Sequence, residues 1–253
     1  MDMSMFIAPT TRPPKIILTG IQGSGKTTLA TLFPNPVIIR VEDGTASVPG
    51  VPAGPPVKTI DDVFDQITFL ATNEHDFNTL IIDSVSAFDS LAVAHIQKKN
   101  NTNNLAKAEG GFGGGYEAVR SIHMKLKEYC DRIAAKCEMT IIYIAHIDVS
   151  EESPPDTEAY TKYTIQCTKT KRLDCSEVYT KDADIIAFIK QDSYIKKGEG
   201  NDKSRAFGTN DRIVMCGLSP AHVSKNRFGI VDPIQFKKDE NPLLKLIPYF
   251  NNK

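Results

Sequence analysis

Two hydrophobic patterns alternate along the chain: short, wholly apolar runs, and longer stretches with apolar residues three or four positions apart. The first predicts buried strands and the second predicts helices. Lys15-Ile16-Ile17-Leu18-Thr19 is a strand, and Thr27 to Phe33 follows as a helix. Pro36 to Val41 reads as a second strand, and Asp61 to Asn73 returns to helical spacing through Val63, Phe64, Ile67 and Leu70. Thr79 to Asp83 is apolar again, Val85 to Lys98 is helical, Tyr116 to Lys136 is a long helix, and Met139 to Ala145 is a strand. Apolar strands alternating with helices argue for a largely parallel sheet covered by helices on both faces.

The pattern changes near residue 160, beyond which Tyr163 to Thr170, Ala183 to Lys190 and Asp211 to Cys216 read as strands. Residues 1–13 carry Pro9 and Pro13 and suit an extended arm, leaving 14–253 as a single domain. Four prolines in 47–56 mark a surface connection, and Asn100 to Gly115 is polar, glycine-rich and without period.

At 253 residues, 41% hydrophobic and 24% charged, the composition is that of an ordinary globular protein. A formal net charge of -1 carries no polyanion-binding signature, so a nucleic-acid contact would have to come from a local patch. No run is long enough to span a membrane and no signal peptide is visible, which makes the expected location cytoplasmic. The five cysteines form no CxxC pair, so they read as incidental thiols rather than zinc ligands or a disulfide framework.

Between the first strand and its helix stands Gly20-Ile21-Gln22-Gly23-Ser24-Gly25-Lys26-Thr27, which meets every fixed position of the phosphate-binding P-loop. The glycines let backbone N–H groups close around an anion, with the following helix start aimed at it. In this arrangement Gly20 to Thr28 are expected to bind a nucleoside triphosphate, with Lys26 reaching the β- and γ-phosphates and the Thr27 hydroxyl ligating Mg²⁺. Asp83, at the end of the apolar run Leu80-Ile81-Ile82, is the expected second Mg²⁺ residue, acting through water; a helix cap is its structural alternative.

Asp83-Ser84-Val85-Ser86-Ala87, the glycine-rich loop, the long helix and Thr140 to His146 together resemble the core of RecA-type recombinases. More closely, the chain is similar to phage RecA-like P-loop ATPases of the AAA-like nucleotide-binding kind, associated with single-strand annealing and recombination. The resemblance implies an α/β fold: a RecA-like P-loop NTPase core with a mostly parallel central sheet flanked by helices, here with a β-rich C-terminal extension. It implies that Glu42 activates the attacking water, with Asp43 as the alternative acid. His146 falls where RecA carries a γ-phosphate-sensing glutamine. Lys225 and Arg227 resemble the Lys-x-Arg signature that reaches a neighbouring subunit's nucleotide, which would make the protein a ring or filament; outside that context they are solvated charges.

The resemblance further implies that single-stranded DNA runs past the loops following these two strands, contacted by Lys98, Lys99, Lys107, Lys169, Lys171 and Arg172, with Tyr160, Tyr163 or Tyr179 available to stack on bases. The expectation is therefore an ATP- and Mg²⁺-dependent DNA recombination or single-strand annealing ATPase, phage-encoded and acting in the host cytoplasm. The alternatives are a phage helicase or packaging motor and, further off, a small-molecule kinase.

Overall fold

The apolar runs pair side by side into one sheet. The computed structural model describes residues 11–42, 48–196, 205–237 and 239–251. In chain order the elements are β1 (Lys15–Gly20), α1 (Lys26–Thr31), β2 (Pro36–Arg40), α2 (Ile60–Thr72), β3 (Thr79–Asp83), α3 (Val85–Lys99) and α4 (Gly114–Cys137). They continue with β4 (Thr140–Ala145), β5 (Ile147–Glu152), β6 (Tyr160–Ile165), α5 (Glu177–Thr180), β7 (Ile185–Lys196), β8 (Arg205–Met215), β9 (Lys225–Asn226), β10 (Ile234–Phe236) and α6 (Pro248–Asn251).

The main sheet runs β2-β3-β4-β1-β7-β8-β10, with β9 also paired to β7. The five strands from β2 to β7 are parallel, while β8, β9 and β10 add antiparallel. This is a mixed α/β fold with a mostly parallel central sheet. Because β7 pairs directly with β1, the β-rich C-terminal half is not an appendage: it supplies one parallel strand of the central sheet and then widens it. A separate ribbon, β5 paired antiparallel with β6, leaves the end of β4.

Strand side chains alternate between faces, which divides the core in two. Ile17, Ile39, Leu80, Ile82, Ile141 and Tyr143 pack under α2, α3, α4 and α5. Ile16, Leu18, Ile38, Ile81, Ile142 and Ile144 pack with Leu29 and Phe33 around α1 and with Leu243 and Ile247 near the C-terminus. Caps set where the first-face helices begin. Thr59 accepts from the Asp62 amide while Asp62 accepts from the Thr59 amide, and Ser84 Oγ accepts from the Ala87 amide at 3.1 Å.

At the amino end of the parallel strands, Asp184 gathers Arg12 (2.9 Å), the Lys15 amide (2.9 Å) and Arg227 (3.3 Å). Lys15 also pairs with Asp131 at 2.7 Å and Asp182 at 2.5 Å, tying β1 to α4 and to the segment before β7. The nucleotide-site candidates lie at the other end of the sheet. Among the described residues, no helix is long and apolar enough to cross a membrane.

Candidate nucleotide-binding site

A cavity of about 780 Å³ opens at the carboxyl ends of β1, β3 and β4, bounded by the loop after β1, Glu42, Asp83 and His146. Sheet order accounts for this grouping: β4 lies between β1 and β3, so His146 emerges between the P-loop and Asp83. The register places Thr19 opposite Ala145 and Asp83 opposite Ile144. Beyond β2, the amides of Val41 and Glu42 both donate to the Asp83 carbonyl, at 2.8 and 3.1 Å, which holds Glu42 against the same opening.

Gly20, Gln22, Gly23, Gly25, Lys26, Thr27 and Thr28 line this cavity, while Ile21 and Ser24 face a smaller depression outside the loop. Gly20 has φ +148°, and a Cβ there would meet the Ile189 carbonyl oxygen at 2.1 Å, so β7 itself excludes any larger residue. Lys26 Nζ donates to the carbonyls of Gly20 (3.0 Å) and Ile21 (3.1 Å), spanning its own loop. Burial pulls its pKa below the ordinary lysine value, against the opposing pull of Asp83 and Glu42.

Thr27 Oγ1 donates to Asp83 Oδ2 at 2.8 Å, joining the two residues expected to hold Mg²⁺. Asp83 Oδ1 is buried and has no hydrogen-bond partner among the described residues. Burial, followed by repulsion from Glu42, pushes the Asp83 carboxyl up to about 6 despite the Thr27 bond. An orphaned carboxylate oxygen next to a hydroxyl is a hard, oxygen-only donor set, and it fits a divalent cation shared with phosphates.

His146 Nε2 lies 3.0 Å from Oε1 and 2.9 Å from Oε2 of Glu42. This bond is the largest influence in holding the Glu42 carboxyl below its usual range. The backbone of His146 is fixed in turn, its amide donating to Ser86 Oγ at 3.0 Å. The Asp83-Ser84-Val85-Ser86 run therefore supplies the carboxylate, the α3 cap and the His146 anchor in four residues. Asp43, the alternative acid, lies outside the described residues.

Arg212 of β8 also lines the cavity and was missed by sequence reasoning. Its strand was legible as an apolar run, but nothing local said that β8 would pair with β7 beside the P-loop.

Lys225 and Arg227 are not brought to the cavity. β9 pairs with Ile185 and Ile186 at the start of β7, the end of the sheet remote from the P-loop. Lys225 donates to the carbonyls of Thr180 and Lys181, and Arg227 meets Asp184.

The cations expected at DNA fall in two places. Lys98, Lys99 and Lys107 border the α3–α4 connection, while Lys169, Lys171 and Arg172 sit in the turn between β6 and α5, and all six are exposed. Lys99 pairs with Glu109 at 2.8 Å and Lys169 approaches Asp174 at 3.8 Å; the other four have no ion-pair partner among the described residues. Tyr163 is 40% exposed, but Tyr179 is buried with its hydroxyl 2.7 Å from His123 Nδ1, which removes it as a base-stacking residue.

A family model described as an AAA domain matches residues 12–228 of the chain, covering the P-loop, all five parallel strands and the β5–β6 ribbon. The chain belongs to that family. The family suggests a nucleotide-binding ATPase, and AAA ATPases generally bind ATP and Mg²⁺. No curated protein matches the chain.

Proposed function

We propose that this AAA-domain protein is a Mg²⁺-ATP hydrolase that acts on single-stranded DNA in recombination or strand annealing, with residues 14–253 working as one RecA-like unit behind an N-terminal arm. One observation carries the ATPase part: Thr27, Asp83, Glu42 and His146 converge at a P-loop whose lysine is in place. Lys26 binds the β- and γ-phosphates. Thr27 Oγ1 and Asp83 would hold Mg²⁺, which neutralises phosphate charge when bound. Glu42 accepts a proton from the attacking water, and its lowered pKa keeps it ionised to do so. His146 orients Glu42 and holds it in one rotamer.

The DNA part rests on connectivity. β5 begins at Ile147, the residue after His146, and the β5–β6 ribbon leads through Cys167 into the turn bearing Lys169, Lys171 and Arg172. A phosphate backbone held by that turn would pull on the same segment that grips Glu42, coupling DNA occupancy to hydrolysis. Because Lys225 and Arg227 sit at the far end of their own sheet, a role for them in hydrolysis requires a neighbouring copy's nucleotide. The test is ATP turnover with and without single-stranded DNA. Stimulation supports the reading, whereas equal rates together with no DNA binding would remove the DNA half and leave the ATPase.

A further inference from the structure

We propose that Arg212 is a second phosphate-binding cation acting within its own subunit: its guanidinium faces the di- or triphosphate of the nucleotide held by the P-loop. The inference rests on the ATPase reading above and adds a residue to it.

The placement follows from register. Gly20 at the end of β1 stands opposite Ile189 of β7, and two residues on, Gln191 stands opposite Arg212 of β8. Arg212 is therefore level with the P-loop. Two strand spacings, about 10 Å, separate β8 from β1, and the long side chain closes that gap. A Cβ added at Gly25 would fall 2.4 Å from Arg212 Nη1 and 2.9 Å from its Cζ, so the guanidinium packs on the backbone of the residue before Lys26. Gly25 has φ +92°, and its lack of a side chain makes the close approach possible.

Charge gives the second argument. The Arg212 side chain is half-buried, passes 5.9 Å from the Phe236 ring, and has no carboxylate partner among the described residues. A partly desolvated guanidinium without a counter-ion is unfavourable unless an anion completes it. Arg212 joins Lys26 as a second cation lining the cavity, on the P-loop side of the opening where an anionic ligand would lie. A guanidinium also offers a planar donor fork suited to phosphate oxygens.

Position distinguishes Arg212 from Arg227. The former lines the cavity, while the latter is bound to Asp184 at the opposite end of the sheet. Arg212 also borders the depression outside the loop with Gln22, Gly23 and Gln191, so it spans the rim of the P-loop.

The experiment measures the dissociation constants of ATP, ADP and AMP for the full-length wild-type chain, Arg212→Gln and Arg212→Lys, alongside the nucleotide-free unfolding midpoint of each. Arg212→Gln should weaken ATP and ADP by about 10- to 100-fold, the scale of one charge-assisted hydrogen bond. AMP should change little, and the unfolding midpoint should stay within about 2 °C of wild type. Arg212→Lys should recover part of the loss, because it restores charge without the fork. In mixtures of Arg212→Gln with Lys26→Ala, turnover should not recover, since each chain lacks one cation of its own site. Wild-type affinity for ATP and ADP in Arg212→Gln would overturn the inference, and recovery in the mixture would overturn its within-subunit form. A wild-type chain that binds no nucleotide would overturn the ATPase reading itself.

Discussion

His146 Nε2 contacts both carboxylate oxygens of Glu42, at 2.9 and 3.0 Å, so the residue that follows β4 fixes the acid that follows β2 across the mouth of the cavity. Neither side chain is deeply buried, each being about a third exposed, which leaves the pair free to rearrange when a ligand enters. His146→Ala should lower turnover by about tenfold, the low end of what a hydrogen bond to a charged group contributes, with ATP affinity changed no more than about twofold. His146→Gln, which can still donate to Glu42, should recover most of it. Separate measurement of kcat and KM checks this, since a merely structural loss would move the unfolding midpoint as well.

The buried Asp83 carboxyl costs the fold stability when it is ionised. Its folded pKa of about 6 exceeds the ordinary 3.8, so the ionised form is disfavoured in the folded state. That destabilisation is present above about pH 6 and fades as the pH falls toward the ordinary value. Asp83→Asn should therefore raise stability at pH 7.5 without Mg²⁺ by about 1–3 kcal/mol, and the gain should shrink to near zero by about pH 4. Urea unfolding at several pH values gives the curve, and the same variant should lose Mg²⁺-dependent turnover.

At the other end of the sheet the sign reverses. The Lys15 hydrogen bond, helped by Lys127, holds Asp182 down to about 2, below its ordinary 3.8. The stabilisation is complete above the ordinary value and is lost as the pH falls through it toward 2. Asp182→Asn should thus be less stable than wild type at neutral pH, by a margin kept small by solvent screening, and the two should converge as the pH is lowered below 4. A constant difference across that range would mean that the Asp182 charge is not what ties the segment before β7 to β1 and α4.

For DNA, replacing Lys169, Lys171 and Arg172 together by alanine should reduce the slope of log affinity against log salt by about 2, at about 0.7 per lost single-strand phosphate contact. ATP affinity without DNA should be unchanged. An unaltered slope in fluorescence-anisotropy titrations would take this turn out of the DNA path.

Much of the site was legible because it is local. The P-loop is a contiguous pattern, Asp83 ends a run of β-branched and leucine side chains, and the long helices follow an apolar period that the sequence carries. Arg212 was not legible for the opposite reason: its meeting with Gly25 depends on β7 pairing in parallel with β1 from the far end of the chain and on β8 then adding antiparallel to β7, and no periodicity encodes a partner. The β5 strand escaped because Ile147-Asp148-Val149-Ser150-Glu151-Glu152 has no fully buried residue and offers too little apolar alternation to read. Lys225 and Arg227 were assigned to a neighbouring copy's nucleotide, and a sequence pattern cannot say where that copy sits; in their own subunit they lie at the end of the sheet remote from the P-loop.

In the proposed mechanism Glu42, oriented by His146, activates water for ATP hydrolysis at this P-loop. Glu42→Gln keeps the side-chain shape and removes the base, so phosphate release from Mg²⁺-ATP, measured beside ATP affinity on the same preparations, tests the claim most directly. Wild type should turn over ATP, and Glu42→Gln should bind it comparably while hydrolysing it at least about 100-fold more slowly. Hydrolysis by Glu42→Gln at the wild-type rate would contradict the assignment and turn attention to Asp43.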